Sequence, residues 1–239
     1  MKPLHRILFA AVITVFLAGC GGSTPLKKLM RDLDQYPEYS IILEDMKTEG
    51  NFFSDYYHKY KIIHAEKTEG DSLTYVTETT DWLKVSEDEF SDKQRYLGMA
   101  LASKSLNGES SDIPEPPAYR YVGNERYGRW REDSGGNRFW EFYGKYAFLR
   151  AMFGGYYRPI YYRDWDTYRG YRQRRQPYFG KNRQYGTFGS ATKKTNPTFF
   201  QRRQTMERAK KQSFANKLRQ RTRRSNMSRS RGRSRGFGK

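Results

Sequence analysis

Apolar residues recur at helical spacing near the start of the chain and at strand-like spacing after it. The run PLKKLMRDLDQ places Leu26, Leu29 and Leu33 on one side of a short helix, whose first position is a proline. Proline is favourable there because the missing N–H would have no partner in any case. Three segments rich in aromatic and β-branched residues follow, at 39–50, 52–70 and 72–85. We expect them to form a three-stranded antiparallel meander.

A second helix is predicted directly after these strands. Ser86 has Glu89 three positions later, which is the spacing of a capping box at a helix start. Gly108 is the predicted stop. The positions that would line the buried side of this helix are Phe90, Tyr96, Leu97, Ala100 and Leu101. The predicted fold class is therefore α+β, with a small domain over 26–108 made of a helix, a three-stranded antiparallel meander and a helix.

The pattern changes after a polar, proline-rich segment at 109–117, which we interpret as a hinge. Residues 118–180 interleave aromatic residues with arginine and glycine and are expected to be partly helical. Apolar positions recur there at three- and four-residue steps, at Phe139, Phe142, Tyr143, Tyr146, Leu149 and Phe153. This stripe predicts a helix that either packs on the small domain or lies in a bilayer interface. Residues 181–239 form a basic, low-complexity tail, expected to be largely disordered apart from a short helix over 200–221.

Charge divides the chain into two unlike parts. Residues 20–116 contain 11 basic and 19 acidic residues, a net charge of −8. Residues 117–239 contain 32 basic and 7 acidic residues, a net charge of +25. After Asp166, leucine, isoleucine and valine nearly vanish as well, which argues against a conventional core in that segment. Such an asymmetry is typical of a segment that binds an anionic partner.

The first twenty residues have the order of an export signal. Lys2 and Arg6 make a positive start, and an apolar run extends from Ile7 to Phe16. The run is short for a membrane span. The next four residues, Leu17-Ala18-Gly19-Cys20, resemble the lipobox of bacterial lipoproteins, which is cleaved just before a cysteine that receives the lipid.

This resemblance implies that residues 1–19 are a signal peptide, that Cys20 is acylated, and that residues 20–25 form a short tether. Cys20 is the only cysteine in the chain, so it has no internal disulfide partner, and acylation gives this thiol a use. Gly21 is not the acidic residue that retains such proteins at an inner membrane. The expected location is thus the outer membrane facing the periplasm, if the cell is Gram-negative. A plain secretory peptide and an uncleaved anchor are the alternatives.

The residues offer little support for catalysis. His58 and His64 would lie about 20 Å apart on an extended strand, too far to share a metal. No phosphate-binding glycine loop or nucleophile motif accompanies them. We expect a protein that is not an enzyme and that binds neither a metal nor another cofactor. An enzymatic or inhibitory role would need a polar cleft around Asp55, His58 and Tyr60.

The basic, aromatic half is therefore the candidate binding region. The arginines expected to contact an anionic surface are Arg172, Arg174, Arg175, Arg202, Arg203, Arg223 and Arg224. The aromatic residues expected at a membrane interface are Trp130, Trp140, Tyr161, Tyr162 and Trp165.

Several anionic partners suit such a region. Phospholipid, lipopolysaccharide, wall polymer and acidic envelope proteins are the ones that an exported protein meets. The acidic domain could also bind the basic tail, giving self-association. Nucleic acid fits the chemistry of the tail but not the expected compartment, and a nucleic-acid-binding protein is the alternative function. A tail that has no dedicated ligand is a further alternative.

Overall fold

The chain combines helices with antiparallel sheets, as its sequence predicts. The computed structural model describes residues 23–50, 54–68, 73–144, 146, 149, 152 and 158–230, with side chains up to Thr222 except that of Lys210. The predicted signal peptide over residues 1–19 and the predicted lipidation site Cys20 lie outside the described residues.

Five helices and eight strands are found in the described part of the chain. The helices are α1 (Pro25–Asp32), α2 (Glu87–Lys93), α3 (Tyr162–Gln173), α4 (Ser190–Thr195) and α5 (Pro197–Ser230). The strands are β1 (Tyr39–Glu49), β2 (Asp55–Lys67), β3 (Leu73–Thr79), β4 (Leu83–Val85), β5 (Ala100–Lys104), β6 (Ser110–Ser111), β7 (Gly128–Glu132) and β8 (Arg138–Phe142). The first six strands form one sheet in the order β3-β2-β1-β5-β6, with β4 also paired to β2. The predicted meander corresponds to β1, β2 and β3, although the sheet is wider than expected.

Helix α1 begins where the sequence indicates. The Thr24 hydroxyl accepts a hydrogen bond from the backbone N–H of Lys27 at 3.3 Å, and Pro25 takes the first helical position. Leu26 and Leu33 are buried against the sheet. The helix is therefore held by its capping residue and by one apolar side.

Helix α2 is shorter than predicted. The Ser86 hydroxyl accepts a hydrogen bond from the Glu89 N–H at 3.1 Å, so the capping interaction is confirmed. A helix as far as Gly108 is wrong, because the chain turns at Gly98, where φ is +74°, and continues as β5 beside β1. The residues from Ala100 to Ser103 are at most 3% exposed. Such a continuously buried run is typical of an internal strand covered on both faces.

Both faces of the six-stranded sheet are covered. Successive residues of a strand point to opposite faces, and on β1 Ile41 and Ile42 belong to different buried clusters. One face is covered by α1, α2 and Phe199 at the start of α5, which together we call the helical layer. The other face is covered by buried side chains from residues 118–191, which we call the aromatic layer.

The segment at 109–117 is not the hinge that its composition suggests. Ser110–Ser111 pairs with β5 as strand β6. The backbones of Ala100 and Glu115 exchange both hydrogen bonds, at 2.9 and 3.0 Å, and residues 114–118 are buried. Proline suits this irregular edge because it has no N–H to donate. The chain therefore enters the aromatic layer as an extension of the sheet.

The aromatic stripe begins in a hairpin and not in a helix. Phe139 and Phe142 lie in β8, which pairs with β7. The Asp133 carboxylate accepts hydrogen bonds from the N–H groups of Gly135 and Asn137, both at 2.9 Å, and closes the turn between the strands. Tyr146, Leu149 and Met152 are buried, and Phe153 lies outside the described residues.

Tyrosine hydroxyls paired with buried carboxylates hold the aromatic layer on the sheet. Glu38, 1% exposed, accepts hydrogen bonds from Tyr75 at 2.7 Å and Tyr127 at 2.9 Å. Burial raises the pKa of Glu38, while the two hydroxyls together with Arg120 and Arg126 oppose that rise. A tyrosine ring buries apolar area and its hydroxyl satisfies a buried acid. The core of this layer is therefore largely aromatic, with few leucine, isoleucine and valine side chains from residues 118–191.

Two further carboxylates repeat this arrangement. Glu115, also buried, accepts a hydrogen bond from Tyr168 at 2.5 Å. Asp164 accepts hydrogen bonds from Tyr119 and Tyr178. Aromatic residues of the layer thus pair with acids from the sheet, its edge and α3.

The tail is more ordered than its composition indicates. Residues 181–230 contain α4 and α5, and the short helix predicted over 200–221 lies inside the longer α5. Among the described residues no helix is both long enough and apolar enough to cross a membrane.

Candidate anionic-partner surface

Among the described side chains, those that attach helix α5 to the rest of the protein lie in its first turns. Phe199 is 8% exposed and belongs to the buried cluster of the helical layer. Arg203, also 8% exposed, donates a hydrogen bond to the Gln94 side chain at 2.9 Å. Burial lowers the pKa of Arg203, an effect that Glu207 opposes. Arg203 is thus a structural residue at the base of the helix, and its predicted role on an anionic surface is wrong.

Beyond its base, α5 extends away from the body of the protein. Every side chain described from Arg208 to Thr222 is exposed, including Phe214 at 65% and Leu218 at 48%. The whole helix contains eleven lysines and arginines against one acid, Glu207. Few neutralising groups are therefore available along it.

The exposed apolar residues of α5 do not form a continuous stripe. At about 100° per residue, Met206, Phe214 and Leu218 fall within one arc of about 120°. Glu207 and Lys217 fall within the same arc. A helix that inserts into a bilayer needs an uninterrupted apolar face. The surface of α5 therefore favours electrostatic contact over insertion.

The other predicted arginines have different surroundings. Arg172 forms an ion pair with Glu109 at 3.3 Å, and Arg175 forms one with Asp112 at 3.7 Å. The Arg174 guanidinium lies 5.1 Å from the ring centre of Tyr171. Arg172 and Arg175 are therefore partly neutralised within the protein.

The remaining three arginines belong to α5. Arg202 is exposed near the base of the helix. Arg223 and Arg224 lie in the same helix, beyond the side chains that the structure describes. Four arginines of α5 were predicted from the sequence. Five further cations of this helix are also exposed but were not predicted: Arg208, Lys211, Lys217, Arg219 and Arg221. These five cations fall within fourteen residues that contain no acid, and this pattern is the sequence signal that could have identified them.

Of the five predicted interface aromatics, Trp140 is in the buried core and Trp130 and Trp165 pack against it. Trp140 is 1% exposed, so its predicted contact with a membrane is wrong. Trp130 packs on Trp140 and Trp165, with ring centres 5.1 and 5.3 Å apart. Tyr161 and Tyr162 are the most exposed of the set, at 39% and 37%. The group lies with the aromatic layer, on the opposite face of the sheet from α1 and Phe199.

Arginines cover part of this aromatic group. The Arg138 guanidinium lies 4.8 Å from the ring centre of Tyr162, and that of Arg169 lies 4.9 Å from the ring centre of Trp165. Such contacts are favourable cation–π interactions. They occupy ring faces that a ligand would otherwise stack on, so this group is a weaker candidate site than α5.

The cleft expected for an enzymatic or inhibitory role does not open at its predicted residues. His58 and Tyr60 are both 0% exposed, and Asp55 forms an ion pair with Lys84 at 2.7 Å. The described residues contain no cluster of three or more histidine, cysteine or acidic side chains placed to hold a metal.

A cleft of about 150 Å³ lies between the sheet and the segment around α4. Its charged groups are Glu44 and Lys61, whose side chains pair at 2.7 Å. Thr192 and Asn196 add a hydroxyl and an amide. No histidine or cysteine is among the described residues that line it, so it lacks the usual nucleophile and base.

Comparison with known proteins leaves the site to be judged on its own geometry. No protein-family model matches the chain, and neither a curated protein nor a solved structure shows significant similarity to it.

Proposed function

We propose that this chain is a non-catalytic bacterial envelope lipoprotein, held on a membrane by a lipid on Cys20, that presents helix α5 to an anionic envelope surface. Phosphate groups of phospholipid or lipopolysaccharide, wall polymer and acidic envelope proteins share the chemistry that α5 would recognise. The observation that carries the proposal is the exposed, almost acid-free length of α5 from Arg208 to Thr222.

The physical reason is electrostatic. Like charges along one helix repel each other, and an anionic surface relieves that repulsion while it gains about 1 kcal/mol per basic residue brought close to it. The low share of apolar surface on α5 keeps the contact at the level of the headgroups. Two of the arginines of the body that were predicted to bind an anionic surface, Arg172 and Arg175, already face acids.

Nucleic acid is the second candidate partner. A helix with cations on most of its surface also fits a phosphate backbone, whose binding weakens steeply as salt rises. The export signal at the start of the chain favours the envelope, where nucleic acid is scarce. A protein found in the cytosol, with residues 1–19 still attached, would reverse this preference.

Removing charge from α5 should weaken binding to anionic vesicles by roughly 30- to 150-fold. The variant replaces Arg208, Lys211, Lys217, Arg219 and Arg221 with glutamine in a chain that starts at residue 20 and carries Cys20→Ser. A helix lying on a surface turns about half of its side chains towards it, so two or three of the five cations should each lose about 1 kcal/mol. Co-sedimentation with vesicles at several salt concentrations measures the change.

The matched control replaces the three arginines of this set with lysine, which keeps the charge. It should bind as the parent does. Binding that is equal for the glutamine variant, or that is insensitive to salt and to anionic lipid, would refute the role of α5. Tighter and more salt-sensitive binding to single-stranded RNA than to vesicles would support the second candidate.

The anchor has a separate test. Cells that express the full chain are grown with a radioactive fatty acid, and the label should appear in the parent and be lost in Cys20→Ser. The same variant should move from the membrane fraction to the soluble exported fraction, because Cys20 is the only cysteine available for acylation. Label that persists in Cys20→Ser would contradict the lipoprotein assignment.

A further inference from the structure

Helix α1, which follows the proposed lipid anchor, and the base of helix α5 lie on the same side of the sheet. Leu26 of α1 and Phe199 of α5 are members of the same buried cluster. Helix α2 links them. Near its start, Glu89 lies close enough to Thr24, which caps α1, for the two side chains to interact. Directly after its end, Gln94 holds Arg203 at the base of α5. Five residues of helix span about 8 Å, so the start of α1 and the base of α5 are close neighbours.

The proposed lipid must enter the bilayer next to this layer. Ser23, whose hydroxyl accepts a hydrogen bond from Arg31 at 2.9 Å, is held against α1. Cys20 is three residues earlier, and three residues of chain reach at most about 11 Å. A lipid on Cys20 therefore turns the helical layer towards the bilayer and the aromatic layer away from it.

We propose that α5 binds the anionic headgroups of the same bilayer that holds Cys20, and does not reach across to a second surface. This inference rests on the proposed function and adds its geometry: the partner is phospholipid in the anchoring membrane, and the exposed aromatic pair Tyr161 and Tyr162 faces the opposite direction. Tethering makes the contact intramolecular, with an effective concentration of headgroups in the millimolar range or above.

The charges of the helical layer make α5 necessary for this contact. Helices α1 and α2 together carry four basic and five acidic residues. Their surface is close to neutral and gains little from anionic lipid. The attraction therefore has to come from α5, which starts in the same layer and carries the excess of positive charge.

The lone thiol makes a direct test possible. The chain from residue 20 is coupled through Cys20 to a maleimide lipid in vesicles with or without anionic phospholipid, at less than one protein per vesicle on average. Trypsin cleavage between Arg208 and Thr222 is followed by mass spectrometry, and vesicle clustering by light scattering. On anionic vesicles we expect cleavage to be slower by roughly tenfold or more, with no clustering, and the protection should not depend on vesicle concentration.

The matched control reverses the protein on the vesicle. It carries Cys20→Ser and Thr167→Cys, which places the coupling site on an exposed position of α3, in the aromatic layer. In this control, trypsin should cleave α5 readily when vesicles are dilute. As the vesicle concentration rises, α5 should bind a second vesicle and the vesicles should cluster. The glutamine variant of α5 coupled through Cys20 should lose the protection seen for the parent.

The outcomes separate this inference from the proposed function. Clustering by the Cys20-coupled protein, or protection that appears only at high vesicle concentration, would overturn the same-membrane geometry while leaving α5 as an anion-binding helix. Equal cleavage on neutral and anionic vesicles for both coupling sites would overturn the binding role of α5 itself. An absence of fatty-acid label in the parent protein would contradict only the proposed anchor in the cell.

Discussion

Replacing Trp140 with alanine should lower the free energy of unfolding by about 3–5 kcal/mol. Trp140 is 1% exposed and packs on Trp130 across the β7–β8 hairpin, with ring centres 5.1 Å apart. Gly128 leaves the space that its indole occupies, because a Cβ there would come within 2.8 Å of the indole nitrogen. Alanine would leave a large cavity that the surrounding rings cannot fill. Urea unfolding followed by circular dichroism measures the loss.

Tyr162→Ala is the matched control for this prediction. Tyr162 is 37% exposed and belongs to the same aromatic group, so its loss should cost no more than about 1 kcal/mol. If the aromatic group gripped a membrane, Tyr162→Ala would weaken vesicle binding strongly and Trp140→Ala would leave stability unchanged. That pair of results would restore the interface role that the sequence suggests for Trp140.

The acidic half of the chain could be predicted well because its signals are local. Thr24, Pro25 and Ser86 act on helix starts within three or four residues, and the strand patterns of β1 to β3 alternate or are continuously apolar. The strand β5 was missed for a physical reason. Its Ala-Leu-Ala-Ser sequence suits a helix intrinsically, and only burial on both faces of the sheet makes it a strand.

The aromatic layer could not be predicted from aliphatic content, because its core is largely aromatic and several of its tyrosines pair with distant acids. Glu38 and Tyr127 are 89 residues apart, and no local pattern links them. The turn at Asp133 was accessible to sequence reasoning, since an Asp-Ser-Gly-Gly-Asn run between two aromatic runs indicates a hairpin. The three- and four-residue spacing of the aromatic residues predicts a helix over the same segment, so the two signals conflict and the turn is the correct one.

For the candidate site, composition indicates the C-terminal half of the chain but does not distinguish among its arginines. A count of arginines treats Arg203, Arg172 and Arg208 alike. The structure buries the first, pairs the second with Glu109 and leaves the third exposed on α5. Charge becomes available for binding only where folding leaves it without an acid nearby, and that depends on contacts between distant parts of the chain.

Acid should destabilise the protein through His58, by about 3 kcal/mol between neutral pH and pH 4. His58 is 0% exposed, its Nδ1 lies 3.0 Å from the Tyr60 hydroxyl, and its Nε2 has no hydrogen-bond partner among the described residues. Its ring stacks on Phe90. Burial, with a smaller contribution from Lys93, lowers the pKa of His58 from 6.5 to about 4.

The sign follows from proton binding. Between pH 6.5 and 4 the unfolded chain binds a proton at His58 and the folded protein does not, so the stability present above pH 6.5 is lost as the pH falls. At about 1.4 kcal/mol per pH unit, this interval corresponds to the figure of about 3 kcal/mol. Glu38 and Glu89, whose pKa values are raised by burial, act in the opposite direction. Their contribution has to be separated from that of His58.

Comparison with His58→Gln makes that separation, because both carboxylates titrate equally in the two proteins. The variant should be less stable at neutral pH, since it loses packing on Phe90, but its stability should fall less steeply from pH 6.5 to 4. The difference between the two slopes isolates His58, because only the parent takes up a proton there on unfolding. Urea titrations at several pH values give both curves. Parallel curves would mean that His58 takes up its proton over the same pH range in the folded and unfolded protein, which would contradict the effect of burial on its pKa.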